Sequence, residues 1–487
     1  MRRVDSILPL FLGRMTQLFA LALAIPAAAA LLWGERVLPF FVPAALALFF
    51  GTLLAYISRA DEQGGRRKMG VAEGAVAMVG VWPFLALFAM LPYLLEGVLS
   101  PAAAFFESVS ALTTTGLSCL SYGAMPMRSL VLWHSLLSWL GGGVFVIVLV
   151  AVLPQVSGCF GLTLTARQSL SFSPVWNRMR AAVRHGLSVY AALTLLSALF
   201  YLLAGLSPFA AVTRAMVTLS SGGSADWTLF TAYRSGALEL AGGLSMLLAG
   251  VNLLLAWQAW HSRRLSLLVH DMELRSYLYA VLVGGAVLTA ALLHDGRYGV
   301  LDALRYGFFQ AVSFLSTTGY ASVTFADWPP FERFFLLLLA FVGGSIGAAG
   351  GGLKVMRLLV LFRLALAEVR RALHPHMVVS VKIDGRPVAP KITQRILSFF
   401  YIFVAVFFAA ALIISLSGVT LMQAMAIAAG CLTSTGAAAA LYAPVGFSWA
   451  PGWLQLFASG IMVLGRVEIF SFLILLDQGA RYFRRHW

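Results

Sequence analysis

Residues 314–321 read FLSTTGYA, and three more stretches repeat that order: ALTTTGLS at 111–118, TLSSGGSA at 218–225 and CLTSTGAA at 431–438. Each copy has a Leu, then two or three Ser or Thr, then a Gly, and Gly116, Gly223, Gly319 and Gly436 recur about every hundred residues. The first and third copies also agree upstream, FFESVSALTTTG against FFQAVSFLSTTG, which sets Glu107 opposite Gln310. One such cluster has an ordinary explanation, because small and hydroxyl residues collect wherever membrane helices pack closely. Four of them at one topological position ask for a shared role, and the surrounding chain shows what that position is.

The chain has 487 residues, 60% hydrophobic and only 11% charged, whereas a soluble globular chain is about a quarter charged. Apolar stretches of about 20 residues, enough to cross a bilayer, fall at 9–33, 37–58, 72–96, 129–153, 184–206, 235–260, 276–294, 332–366, 393–417 and 452–478. The first is read as a retained helix, since no small-residue cleavage pattern follows it. In a soluble protein the net charge of +15 would suggest nucleic acid. Here the basic residues sort by loop. Arg59, Arg66, Arg67 and Lys68, then Arg167, Arg178, Arg180 and Arg184, then Arg263, Arg264 and Arg275, then the run from Arg363 to Arg395 share one side with Arg2, Arg3, Arg481, Arg484 and Arg485. That side is the cytoplasm, with both termini on it. Nucleic acid is not expected as a partner. Cys119, Cys159 and Cys431 lie far apart with no ligand spacing, so neither a disulfide framework nor a zinc site is indicated.

After the third, fifth, seventh and ninth spans comes a half-length apolar segment, at 101–112, 208–219, 300–315 and 420–432. Twelve helical residues reach about 18 Å, a little over half the ~30 Å hydrocarbon core. These segments must enter and turn back, and each of the four repeated motifs lies at such a turn. Irregular backbone at that depth is tolerated only where it is buried in protein or lines a watery cavity. Four turns around one axis make a ring of carbonyls able to replace the hydration shell of a monovalent cation. The half-helices aim their negative C-terminal ends at it. The expected fold is therefore an all-α integral membrane protein, with four parallel helix, pore-helix, helix repeats around a central pore and two extra N-terminal transmembrane helices. The divisions are 1–70 for the extra pair, then 71–155, 180–262, 274–372 and 390–487 for the repeats.

The candidate filter is Thr113, Thr114, Thr115 and Gly116; Ser220, Ser221, Gly222 and Gly223; Ser316, Thr317, Thr318 and Gly319; and Thr433, Ser434, Thr435 and Gly436. The second copy departs from the others, with two glycines and an Ala after Ser224. On these motifs the chain resembles the Trk/Ktr/HKT superfamily of potassium transporters, over nearly its whole length. The two extra N-terminal spans favour the TrkH-like branch over the shorter KtrB. The resemblance implies potassium uptake across the cytoplasmic membrane of a bacterium, with K+ as the transported ion held at the filter residues and no cofactor. In that family a glycine in every repeat accompanies potassium selectivity, and all four are present here. It also implies a homodimer whose cytoplasmic face docks a TrkA-like nucleotide-binding regulatory subunit, where the basic loop at 363–395 would otherwise simply hold anionic membrane lipids.

Residues 343–352 read GGSIGAAGGG, in the middle of the eighth span. A phosphate-binding loop needs a preceding strand and a Gly-Lys-Ser/Thr ending, and here Leu353 and Lys354 follow Gly352 instead. Nucleotide binding is rejected. At about 1 kcal/mol per glycine a continuous helix is not expected, so the span breaks. The resemblance assigns this loop, with Gly343, Gly344, Ser345, Gly347, Gly350, Gly351, Gly352 and Lys354, the role of a gate beneath the filter. The family often has Cys-Ala-Gly-Ser where this chain has Ser345 to Ala348. Arg466, in LGRVEIF near the middle of the last span, is costly there. It either pairs with Glu468 or with carbonyls, or it forms an electrostatic barrier below the filter, as the resemblance implies.

Asp226 and Asp327 follow the second and third motifs and read as solvated loop carboxylates. His134 and His270 carry no ligand spacing and receive no role. A sodium- or proton-coupled secondary transporter would use inverted repeats and midplane acids, but the repeats here are parallel and only Glu73, Glu96 and Glu239 approach the spans. A membrane enzyme would need convergent nucleophiles, acids or metal ligands, which the sequence does not offer.

Overall fold

The computed structural model describes residues 8–59, 71–120, 127–151, 175–223, 230, 235–374, 381–383, 386–467 and 472. The chain opens with an antiparallel pair, α1 (Leu8–Trp33) and α2 (Leu38–Arg59). Several contacts fasten this pair to the first repeat. Phe19 meets Trp133 edge to face at 5.5 Å, and the Glu35 carboxylate accepts the amides of Arg128 at 2.8 Å and Ser129 at 2.9 Å. Those amides open the helix at 128–151, so Glu35 caps it from another element, where a negative charge also suits the helix dipole.

Burial pushes the Glu35 pKa up, but the hydrogen bonds from Ser129 and Arg128 outweigh it and hold the carboxyl below its usual value. A depressed folded-state pKa means that stability is present above the unfolded pKa and is lost as pH falls through the folded one. Glu35→Gln should therefore lower the Tm of the detergent-solubilised protein at pH 7, by the equivalent of about 1 kcal/mol for a lost cap. The gap from wild type should close as pH falls below the range of the folded carboxyl. A gap that persists in acid would contradict this assignment.

The first repeat is α3 (Val71–Ala89), prolonged by Leu91–Leu95, then α4 (Pro101–Leu112) and α5 (Arg128–Ala151). The second is α6 (Val175–Leu203), α7 (Pro208–Leu219), α8 (Gly236–Ala249) and α9 (Leu253–His261). After the short helix Ser266–His270 comes the third, α10 (Met272–His294), α11 (Val300–Leu315), α12 (Pro330–Val342) and α13 (Val355–Leu373). A two-residue antiparallel pairing of Lys382–Ile383 with Arg386–Pro387 leads to the fourth, α14 (Pro390–Ser415), α15 (Leu421–Thr433) and α16 (Gly452–Arg466). Among the described residues, six helices are each long and apolar enough to cross a membrane, and α8 with α9 makes a seventh if that bent pair is one span. Helices α5, α12 with α13, and α16 occupy the remaining apolar stretches. The chain is a multi-pass membrane protein.

The half-length helices α4, α7, α11 and α15 start where local chemistry starts them. Pro101 and Pro208 lie at first helical positions, where a missing N–H costs nothing, and Ser100 and Ser207 accept amides of the first turn. Thr420 and Gln423 form a reciprocal capping box. Around the molecule, each half-length helix packs on the second helix of the preceding repeat: α7 on α5, α11 on α8, α15 on α12, and α4 on α16. That order closes on itself, so the repeats form a ring. Trp82, Trp133, Tyr93, Phe106 and Phe314 fill the core between them, while Leu32, Leu195, Leu203, Leu301 and Leu412 point outward, as a lipid-facing surface requires.

One expectation fails. The stretch at 235–260 is not a continuous span: it breaks between Ala249 and Leu253 and bends by 91°. At Gly250 the Tyr277 hydroxyl occupies the space a Cβ would need, at 2.3 Å. Asn252 then caps the second piece, accepting from Leu254 at 3.0 Å and Leu255 at 3.3 Å. The helix stops and restarts for local reasons.

Candidate ion pathway

Each half-length helix ends in the same turn. Its first hydroxyl folds back on the helix: Thr113 Oγ1 donates to Val109 O at 2.7 Å, Ser220 Oγ to Val217 O at 2.9 Å, Ser316 Oγ to Ser313 O at 3.3 Å and Thr433 Oγ1 to Ala429 O at 2.8 Å. The next residue then reverses the chain in the left-handed region, with φ of 56° at Thr114, 56° at Ser221, 60° at Thr317 and 54° at Ser434. For a residue with a side chain this conformation costs about 1 to 2 kcal/mol, and for β-branched Thr114 and Thr317 it is an outlier. Strain at four equivalent positions indicates a purpose that the surrounding structure enforces.

The glycines then interlock. A Cβ on Gly116 would lie 2.2 Å from Gly222 O, on Gly223 2.5 Å from Thr318 O, on Gly319 2.9 Å from Ala437 Cβ, and on Gly436 2.4 Å from Leu117 N. Repeat one touches two, two touches three, three touches four and four touches one. The sixteen motif residues at 113–116, 220–223, 316–319 and 433–436 are thus brought together in one closed ring, buried from outside solvent. Among the described residues, the fourth copy departs from the others at its glycine. Gly116, Gly223 and Gly319 have positive φ, whereas Gly436 begins a 3-10 turn running to Leu441 and donates its amide to Thr115 O at 2.6 Å.

The reversing residues also carry hydroxyls. Thr114 Oγ1, Ser221 Oγ and Ser434 Oγ are buried with no hydrogen-bond partner among the described residues. Thr317 Oγ1 is instead taken by the Gly351 amide, at 2.9 Å. Buried unpaired oxygens are costly, and oxygens gathered on four neighbouring turns are of the kind that suits a hard monovalent cation.

Gly351 belongs to the glycine-rich loop, which breaks the span between α12 and α13 as expected. Positive φ at Gly343, Gly347, Gly352 and Lys354 lets it fold tightly. It lies directly against the reversing residues: a Cβ on Gly350 would lie 2.6 Å from Thr317 Oγ1 and 3.3 Å from Ser221 Oγ, and one on Gly351 2.9 Å from Ser434 Cβ. Two buried cations hold it. Lys354 Nζ donates to Gly350 O and Arg466 Nη1 to Ala349 O at 2.6 Å. Both face the Phe145 ring, at 5.9 and 4.0 Å. Arg466 Nε and Nη2 have no hydrogen-bond partner among the described residues. Glu468, the alternative partner for Arg466, lies outside them.

The other side of the loop rests on the break in the second repeat. Ser345 donates its amide to Gly250 O at 3.0 Å, Leu253 donates to Gly347 O at 3.4 Å, and the Glu273 carboxylate accepts the Ile346 amide. Sequence reasoning missed Phe145, Glu273, Gly250 and Asn252. A signal existed for the last two, since Gly followed two residues later by Asn is a helix stop and restart. Glu273 is an acid in a first helical turn and Phe145 one apolar residue among many in its helix, so neither carries a signal in the sequence.

The remaining candidates are peripheral. Asp226 lies outside the described residues, and Asp327 is exposed. Glu239 is committed to an ion pair with Arg305, at 2.5 and 2.9 Å. His134, given no role above, is buried beside Glu107. Among the described residues no cluster of three His, Cys, Asp or Glu could hold a metal ion.

Comparison with known proteins gives consistent matches. The model of the TrkH family, described as a cation transport protein, matches residues 282–480. The Trk system potassium uptake protein TrkH of Halomonas elongata is 31% identical over 472 residues, covering 95% of this chain and 96% of the relative. The protein of the same name from Escherichia coli K12 is 29% identical over 479 residues, with 95% and 96% covered. The crystal structure of the potassium transporter TrkH from Vibrio parahaemolyticus superposes with a TM-score of 0.86 at 27% identity, covering 98% of this chain and 99% of that one.

Proposed function

We propose, since this chain belongs to the TrkH family of cation transport proteins, that it takes up potassium through the ring of four turns and is gated by the glycine-rich loop beneath it. Potassium transport is the function its relatives are named for, and the chain is a transport protein rather than an enzyme. The observation that carries the finer reading is the closed ring, in which the hydroxyls of Thr114, Ser221 and Ser434 have no hydrogen-bond partner among the described residues and that of Thr317, in the third repeat, is taken by the loop. Backbone and hydroxyl oxygens at 113–116, 220–223, 316–319 and 433–436 act as the selectivity filter, replacing water around K+. No resident cofactor is required.

The loop at 343–352 is the gate. In the arrangement seen, it lies against three of the four reversing residues, and two cations hold it there. Lys354 and Arg466 pin the loop and repel an approaching K+. Support for a pathway without coupling comes from Glu239, which Arg305 already neutralises.

The charge of the basic loops supports a reading with both termini and the 363–395 segment on the cytoplasmic side of a bacterial inner membrane. That face accepts a TrkA-like nucleotide-binding regulator, and the membrane subunit works as a homodimer. These assignments rest on the family resemblance and on the charge of that face.

The test is flux. Purified protein in potassium-loaded liposomes should take up rubidium tracer down its gradient, with excess sodium competing weakly. Uptake that requires an inward sodium or proton gradient would instead favour a coupled transporter of the same fold.

A further inference from the structure

Nine residues before each filter glycine stand Glu107, Arg214, Gln310 and Ile427. Glu107 is fully buried, which is costly for a carboxylate unless donors surround it. They do. Ser118 Oγ donates to it at 2.7 and 2.8 Å and the Cys119 amide at 2.8 Å, while His134 Nδ1 lies 3.3 Å away.

Cys119 lies three residues past Gly116. In the third repeat Ser322 lies three past Gly319, and its amide donates to the Gln310 side chain at 2.9 Å once that amide is oriented to donate to Tyr320 O at 3.2 Å. The same backbone N–H is therefore held by the same position of the pore helix in two repeats. In the fourth repeat the chain leaves the ring as a 3-10 turn with its own hydrogen bonds, Ala438 to Thr435 O at 2.8 Å and Ala443 to Ala439 O at 2.9 Å. It needs no such hold, and apolar Ile427 occupies the position. Ser118 also ties repeat one to repeat four, since its carbonyl accepts the Phe447 amide at 2.7 Å and Phe106 stacks on Phe447 at 4.9 Å.

We propose that Glu107 is a positioning residue for ion discrimination: by holding Ser118 and Cys119 it fixes the spacing at which the first filter turn meets the fourth, and so the size of cation the ring favours. Gln310 does the same for the third turn. This inference rests on the four turns being the selectivity filter.

The test compares rubidium and sodium uptake in proteoliposomes for wild type, Glu107→Gln, Glu107→Ala, Ser118→Ala and Gln310→Ala, each checked for monodispersity. Glu107→Gln should keep the rubidium-to-sodium ratio within about twofold, because an amide already serves at 310. Glu107→Ala and Gln310→Ala should lower the ratio roughly tenfold, and Ser118→Ala by roughly threefold, as expected for losing buried hydrogen bonds to a charged or amide group. A folded Glu107→Ala protein with a wild-type ratio overturns the proposal. So does a Glu107→Gln protein as unselective as Glu107→Ala. If Glu107→Ala does not fold, unchanged ratios in both Ser118→Ala and Gln310→Ala overturn it. Absence of any rubidium preference in wild type would instead sink the filter reading itself.

Discussion

Gly116→Ala should lower potassium flux by roughly a hundredfold while leaving the protein extractable and monodisperse. The added methyl would stand 2.2 Å from Gly222 O and 2.9 Å from Gly223 Cα. Both are backbone atoms of the neighbouring turn, so no flexible side chain can yield. The residue must also keep a φ of 76°. Left-handed backbone costs about 1 to 2 kcal/mol with a side chain, and overpacking adds about 1 to 3 kcal/mol. A penalty near 3 kcal/mol spent on distorting the ring corresponds to roughly a hundredfold. Gly460→Ala is the control, since a Cβ there meets nothing within 4 Å. Rubidium uptake measured side by side should separate the two variants clearly. Equal uptake would mean that ions do not pass where the glycines meet.

Arg466→Ala should raise flux roughly tenfold. The guanidinium is 2% exposed, holds Ala349 O with one nitrogen and leaves two others without a hydrogen-bond partner among the described residues. A fixed positive charge beside the path of a cation contributes on the order of 1 to 2 kcal/mol of repulsion at an effective dielectric of ~20, enough for roughly tenfold. Its removal also releases one of the two pins on the loop. Deleting 347–350 should change flux in the same direction, because that deletion removes the segment lying against Thr317 and Ser221. Single-channel or tracer measurements on monodisperse variants decide the matter. Unchanged or reduced flux in both would show that the loop is not the obstruction.

The parts of this architecture written in local chemistry were legible beforehand. The half-length apolar segments and the runs of Ser and Thr that end them can be read from the chain, and the structure adds prolines 101 and 208 with their capping serines as the local reason for two of the starts. The six glycines at 343–352 announced a break in a span, and it is there. What stayed hidden depends on tertiary contact. A left-handed Thr cannot be read from Thr itself; at 114 and 317 the turn is imposed by the ring. The 3-10 exit of the fourth copy could not be read from TSTG. The same holds for Glu273, whose role comes from an amide 73 residues away, and for Phe145, whose ring is the surface on which Lys354 and Arg466 rest. The hold exerted by Glu107 was half visible, in the alignment of FFES with FFQA, but its object was not. Potassium itself came from resemblance, since carbonyls and hydroxyls in a ring specify a monovalent cation without naming it.

The most direct test of the account is anomalous diffraction from crystals of this protein grown in rubidium. A peak on the axis enclosed by the turns at 113–116, 220–223, 316–319 and 433–436, above the glycine-rich loop, is the predicted result. Ordered filter turns with no peak between them, or rubidium bound only elsewhere in the membrane region, would contradict it.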